Sequence, residues 1–235
     1  MPLMVDGRAG ILRCLWPLYP GLRFTQSLLP EIISVDLSFL DSVYDCTRDW
    51  DRGNVHMRVV EGSKDLFAEL GGEPVVKMEH GLPKIYFRMW SGVEVDLGRA
   101  PSGLREVFPL VAALASKRAD MVFVEEPESH LHPRAVRLLT RLIVDAVRGC
   151  GKTVVMTTHS DVVVSQVNNL QVNNLIIGGV LPPESVSAYL LRRVDGRVDA
   201  EELEVDGEGF NESMFETVAA ELLEERSSYY TRRGA

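Results

Sequence analysis

Met121-Val122-Phe123-Val124-Glu125-Glu126-Pro127-Glu128-Ser129-His130-Leu131-His132 joins an apolar run to a cluster of acidic and imidazole side chains. Four apolar residues are too few for periodicity to separate a buried strand from a buried helix. The abrupt stop at Glu125, Glu126 and Pro127 favours a short buried strand. In an open parallel α/β sheet, residues leaving the carboxyl end of a strand stand where ligands bind. Two adjacent carboxylates there can divide the work of a phosphate site, one holding a magnesium ion and the other orienting or deprotonating an attacking water. Taken alone, Glu125-Glu126 reads sooner as a solvated acidic turn than as a site.

Two flanking stretches change that balance. Upstream, Pro101-Ser102-Gly103 opens an apolar run to about Ser116, with Leu104, Val107, Phe108, Val111 and Leu114 at helical spacing. Pro109 within it is expected to kink the helix or mark its true start. A serine and a glycine at a helix N-terminus can hold a phosphate, because unpaired N–H groups and the helix dipole point there, although Ser before a helix also reads as a plain N-cap. Downstream, the strand-like run Thr153 to Thr157 leads into Thr158-His159-Ser160, and Ser160 or Asp161 is placed to cap a further helix. His159 at that edge can bond a terminal phosphate and the attacking water.

The ordered series Ser-Gly, then hydrophobic-Glu-Glu-Pro-Glu-x-His-Leu-His-Pro, then Thr-His-Ser resembles the C-terminal half of an ABC-class ATPase. More narrowly, it is similar to the soluble, AAA-named branch that includes the RecF-like and overcoming-lysogenization-defect proteins. The resemblance is direct over about residues 96 to 170. It implies that Ser102 and Gly103 form the signature motif and contact nucleotide across a dimer. By the same resemblance Glu125 and Glu126 are the Walker B pair, Ser129 to His132 the D-loop, and His159 the switch histidine. ATP and Mg2+ are the implied cofactors, with Glu125 as metal ligand, Glu126 and His159 as catalytic residues, and Ser102, Gly103, Ser129 and His132 at the nucleotide. Glu125 departs from the aspartate found more widely in ABC proteins. The implied fold is α/β: half of a P-loop NTPase sheet flanked by helices, with a small antiparallel lobe. The implied partner is a second copy or a chain that carries a P-loop.

Gly151-Lys152-Thr153 is a decoy. A phosphate-binding loop needs G-x-x-x-x-G-K-[ST] between a strand and a following helix. Here Ala146 stands at the first glycine position, a helix precedes the triplet and a strand follows it. Gly149-Cys150-Gly151 therefore reads as a helix stop. No other G-K-[ST] occurs in the chain, and no TOPRIM-like acidic module follows His159. The expectation is an ATPase chain that is partial or split and draws its P-loop from elsewhere. The alternative is a non-catalytic remnant or interaction subunit that keeps the fold. His130 and His132 have the H-x-H spacing of a metal site with Glu126 or Glu128, but no further ligand is identified.

The rest of the chain supports this outline. The 235 residues, 46% hydrophobic, suffice for one large domain or a domain with a smaller lobe. The three cysteines Cys14, Cys46 and Cys150 are far apart and without C-x-x-C spacing, which suits a reducing cytosol. No apolar run approaches a membrane span and no signal peptide is visible, so a cytoplasmic protein is expected. The net charge of -9 gives nucleic acid no support beyond a local strip of Arg134, Arg137, Arg141 and Arg148.

The expected elements before Ser102 are a helix in the second half of 31–50, a helix from Lys64 to Leu70 stopped by Gly71-Gly72, and a meander of Val75–Met78, Lys84–Trp90 and Val93–Leu97. Residues 1–30 carry only short strand-like runs such as Ile11–Leu15. After the acidic stretch, Pro133 begins a helix to about Arg148 with Val136, Leu139, Ile143, Ala146 and Val147 buried. The doubled Gln-Val-Asn-Asn-Leu of 166–175 reads as a lengthened helix-to-strand connection. Strands are expected at Leu175–Val180, Ser187–Val194 and Leu203–Val205, and an amphipathic helix at Asn211–Arg226 that packs on the domain or on a partner. The expected domains are 1–98, an N-terminal lobe; 99–180, the ATPase core half; and 181–235, C-terminal strands and helix.

Overall fold

The computed structural model describes residues 3–5, 42–79, 82–172, 181–206, 209–211 and 220–227. They fall into two compact units, residues 1–159 and 160–235.

In the first unit, β5 (Met121–Glu125) is the middle strand of a parallel sheet, with β1 (Leu3–Val5) on one side and β6 (Thr153–Thr157) on the other. Val122 pairs with Leu3 and with Val154, and Glu125 pairs with Thr157. Val122 and Val124 are fully or almost fully buried, while Met121 and Glu125 reach the surface. The expected strand is therefore present. β1 was not expected: three residues after Pro2 carry no periodicity, and the neighbour that makes them a strand lies over a hundred residues away.

The helical layer is built from α1 (residues 42–51), α2 (Met57–Glu69), α3 (Ser102–Ala115) and α4 (Pro133–Cys150). Helix α3 is buried along nearly its whole length and runs through Pro109, so this proline does not mark its start. Ser102 is the first helical residue. The N-cap is Pro101, whose ring offers no hydrogen-bonding group and makes no capping bond, so the N-cap reading of Ser102 is corrected. Pro133 takes the first position of α4, and Gly151 ends that helix in the left-handed conformation at φ 65. Val136, Leu139, Ile143 and Ala146 are buried as expected, whereas Val147 is half-buried.

A three-stranded antiparallel meander, β2 (Gly72–Glu79), β3 (Leu82–Met89) and β4 (Glu94–Asp96), forms the expected small lobe. Its anchor is aromatic. Phe87 of β3 meets Phe67 of α2 and stands edge-on to Phe108 of α3 with centroids 6.0 Å apart, and Phe108 also meets Trp50 of α1. Helix α2 starts at Met57, seven residues before the expected Lys64. Gly62 and Ser63 weaken the sequence signal there, and α2 packs closely on α4 at Gly62, where a Cβ would lie 3.1 Å from Leu142 Cδ1.

Lys152 of the decoy triplet is buried, and its ammonium donates to the carbonyls of Ser116 and Ala119. It closes the turn after α4 onto the end of α3, a structural task.

The second unit holds α5 (Asp161–Val172), two hairpins, β7 (Ala188–Val194) with β8 (Arg197–Leu203) and β9 (Val205–Asp206) with β10 (Gly209–Phe210), and a helical stretch α6 at 220–227. The first Gln-Val-Asn-Asn-Leu copy lies within α5, which corrects its reading as connection. Asn168 from that copy clasps the Phe210 backbone, donating to its carbonyl and accepting from its N–H. β8 was missed because nearly every position in it is exposed. The expectations for Ile11–Leu15 and Leu175–Val180, and for the first half of the last helix, lie outside the described residues. Leu222 and Leu223 of α6 are exposed. No helix among the described residues is long and apolar enough to cross a membrane.

Candidate functional site

The acidic cluster sits at the carboxyl edge of the parallel sheet because β5 and β6 end in register. After Glu125 pairs with Thr157, the Glu126 N–H still donates to the Thr157 carbonyl at 2.9 Å. The chain then turns sharply. Glu126 adopts φ 44, in the left-handed region that costs a residue with a Cβ about 1 kcal/mol or more. Two consecutive turns follow, closed by Ser129 N–H to the Glu126 carbonyl and Leu131 N–H to the Glu128 carbonyl, with His130 also left-handed at φ 60. His132 is the extended residue before α4.

These turns sort the three carboxylates by direction. The Glu125 side chain is exposed and makes no hydrogen bond or ion pair among the described residues. Glu126 is about half exposed; its Oε2 accepts from Ser129 Oγ at 3.3 Å and its Oε1 lies 3.6 Å from His159 Nε2. Glu128 turns inward, where Oε1 accepts from Thr158 Oγ1 at 2.6 Å and from the His159 N–H at 2.9 Å. Its Oε2 is buried without a hydrogen-bond partner among the described residues. The His159 imidazole is almost entirely exposed, so the Glu126–His159 pair faces open solvent.

The other two histidines are drawn elsewhere. His130 Nε2 lies 3.5 Å from Glu106 of α3, whose carboxyl is pushed up by burial, partly offset by His130 and Arg105. His132 Nε2 lies 3.3 Å from Glu69 of α2, which also receives Arg134 Nε at 3.1 Å. The H-x-H pair therefore diverges onto separate helices. No group of three or more metal-ligating side chains occurs among the described residues. Gly103 stands beneath the second turn: a Cβ there would lie 3.2 Å from Leu131 Cδ2 and from Leu70 Cδ2, and 3.6 Å from the His130 carbonyl oxygen. A cleft of about 500 Å³ lined by Asp65, Glu69, Trp90 and Arg134 touches none of Glu125, Glu126 and His159.

Of the residues expected at the site, Ser129 and His159 thus each reach Glu126, Glu125 stands beside them in sequence, and Gly103 supports the turn. His132 is committed to Glu69. Sequence reasoning passed over Glu128 as a partner of Thr158 and His159. The available signal was a third carboxylate just past Pro127, opposite a strand that ends in Thr-Thr-His donors.

The donor set suits a hard cation in part. Magnesium is held by one or two carboxylates together with phosphate oxygens and waters, and exposed Glu125 meets that description. The triphosphate fits less well, because the sequence has no G-x-x-x-x-G-K-[ST] and Lys152 is already occupied.

Among solved structures, the chain is similar to an SMC ATPase described for ATP-driven dimerization and DNA-stimulated activation, at 15% identity and a TM-score of 0.46, over 77% of this chain and 97% of that one. It is also similar to the Smc head domain with an extended coiled coil from Pyrococcus furiosus, bound there to the C-terminal domain of ScpA, at 15% identity and TM-score 0.47, over 93% of this chain and 52% of that one. The SMC head domain from Thermotoga maritima gives 17% identity and TM-score 0.38, over 68% and 52%. No curated protein matches the chain. The model of the AAA_21 family, described as "AAA domain, putative AbiEii toxin, Type IV TA system", matches residues 22–165, a span that contains α3, β5, β6 and every candidate site residue. With well over half its length matched, the chain belongs to this family of AAA-domain proteins.

Proposed function

We propose that the chain supplies the hydrolytic half of an ABC-type ATPase site, of the RecF-like and overcoming-lysogenization-defect-like branch, and receives its phosphate-binding loop from another chain or segment. The observation that carries this reading is the Glu126–His159 pair, 3.6 Å apart at the ends of adjacent parallel strands and open to solvent. Glu126 accepts the proton of a water as that water's oxygen attacks the terminal phosphorus, and the bond to the bridging oxygen breaks. Ser129 Oγ holds the second oxygen of Glu126. His159 donates a hydrogen bond towards the terminal phosphoryl oxygens. Glu125 would hold Mg2+, which when bound neutralises phosphate charge. Ser102 and Gly103 at the N-terminus of α3 meet nucleotide from the opposite side of a dimer, and residues 99–180 act as the ATPase core half.

The second reading, an interaction subunit without catalysis, is favoured by Lys152: the only lysine in a G-K-[ST] triplet is buried on backbone carbonyls. Single-turnover hydrolysis by the chain reconstituted with a P-loop-bearing partner separates the two. Glu126→Gln is expected to slow it by about 10²- to 10⁴-fold. An assembly that binds ATP and never turns it over, with or without the substitution, selects the second reading.

A further inference from the structure

The structure assigns Glu128 as the positioning residue of the site, a clasp that fixes the Thr158–His159 backbone and thereby sets the imidazole of His159 against Glu126. The catalytic part of this assignment rests on the function proposed above; the clasp itself does not. Three features carry it. One oxygen, Oε1, receives both the Thr158 hydroxyl at 2.6 Å and the His159 N–H at 2.9 Å, joining the loop after β5 to the loop after β6 at a single atom. These are bonds to a carboxylate, the stronger class. The His159 side chain itself is almost entirely exposed and touches Glu126 only at 3.6 Å, so little packing holds the ring in place. Finally, the second oxygen of Glu128 is buried with no hydrogen-bond partner among the described residues, so the hydrogen bonds described for this carboxylate all go to the Thr158–His159 loop.

The test is made on the full chain by NMR, with Glu128→Ala, Glu128→Gln and Glu126→Gln. In Glu128→Ala the His159 amide is expected to exchange with solvent at least about tenfold faster, the scale of losing one charge-assisted bond. The amides of Val122 and Val124 should keep their protection, which separates loss of the clasp from loss of the fold. Glu128→Gln retains a carbonyl acceptor and should restore part of the protection. The imidazole supplies a readout that general destabilisation does not move: Glu126→Gln should shift the His159 ring resonances in the wild-type background and leave them unmoved in the Glu128→Ala background. Undiminished His159 amide protection in Glu128→Ala overturns the assignment. So does a Glu126-dependent ring shift that survives Glu128→Ala. Failure of the proposed ATPase would look different, with the clasp signature intact and no hydrolysis by the reconstituted assembly.

Discussion

Lys152 shows how a buried side chain can imitate a motif. Its ammonium serves two carbonyls at the end of α3 and the turn that follows, so Lys152→Ala leaves both without their donor and is expected to cost about 1–3 kcal/mol for each acceptor left unpaired. Burial also holds this lysine below its ordinary range, against smaller opposing effects of Asp120, Cys150 and Cys46. The folded chain therefore releases the proton at lower pH than the unfolded chain. Between the two values the unfolded state binds more protons, so stability must rise with pH, up to the ordinary lysine value of about 10.4. Urea unfolding of wild type against Lys152→Met across that alkaline window should show the wild type gaining relative to the variant as pH rises; a relative loss contradicts the burial account. Cys46 offers a second residue-scale check. Burial first, then the nearby aspartates, pushes its thiol up to about 11, with Ser116 and Lys152 opposing. Alkylation of Cys46 at mildly alkaline pH should therefore proceed only on unfolding, and rapid labelling of the native chain would show the thiol to be accessible.

Strand β5 carries the element-scale prediction, because it is the middle strand of its sheet and Val122 has no exposed surface. Val122→Asp buries a carboxylate with no partner at a cost of several kcal/mol, comparable with the whole stability of a domain. An unchanged melting curve would show that Val122 is not in the core. This element was legible in the sequence because apolar residues ended on acids and proline, and α3, α4 and the meander were legible through period and turn residues. What stayed hidden has physical reasons. β1 is three residues long and becomes a strand only by pairing with β5. Half of α2 hid behind Gly62, where the helix packs closely on Leu142 of α4. β8 carries no buried face to read. In the site, the order of motifs pointed to Glu126 and His159, but a clasp such as Glu128 depends on the register of β5 and β6, which a single sequence does not display.

For the whole molecule, Glu126 and His159 meet at the carboxyl edge of the parallel sheet, while the sequence contains no G-x-x-x-x-G-K-[ST] for a β-phosphate. Calorimetry on the purified chain should therefore find ATP binding weaker than micromolar, and micromolar affinity would place a phosphate cradle in this chain after all. The proposed division of labour within the acidic pair is tested by measuring nucleotide affinity with and without Mg2+ beside single-turnover hydrolysis in the reconstituted, active assembly. Glu126→Gln keeps size and hydrogen-bonding shape but accepts no proton, so it should bind ATP normally and hydrolyse it about 10²- to 10⁴-fold more slowly. Glu125→Gln removes charge beside the metal, so it should lose the magnesium-dependent part of the affinity itself. Small and equal effects of the two substitutions would contradict the assignment and leave Glu125-Glu126 a solvated turn.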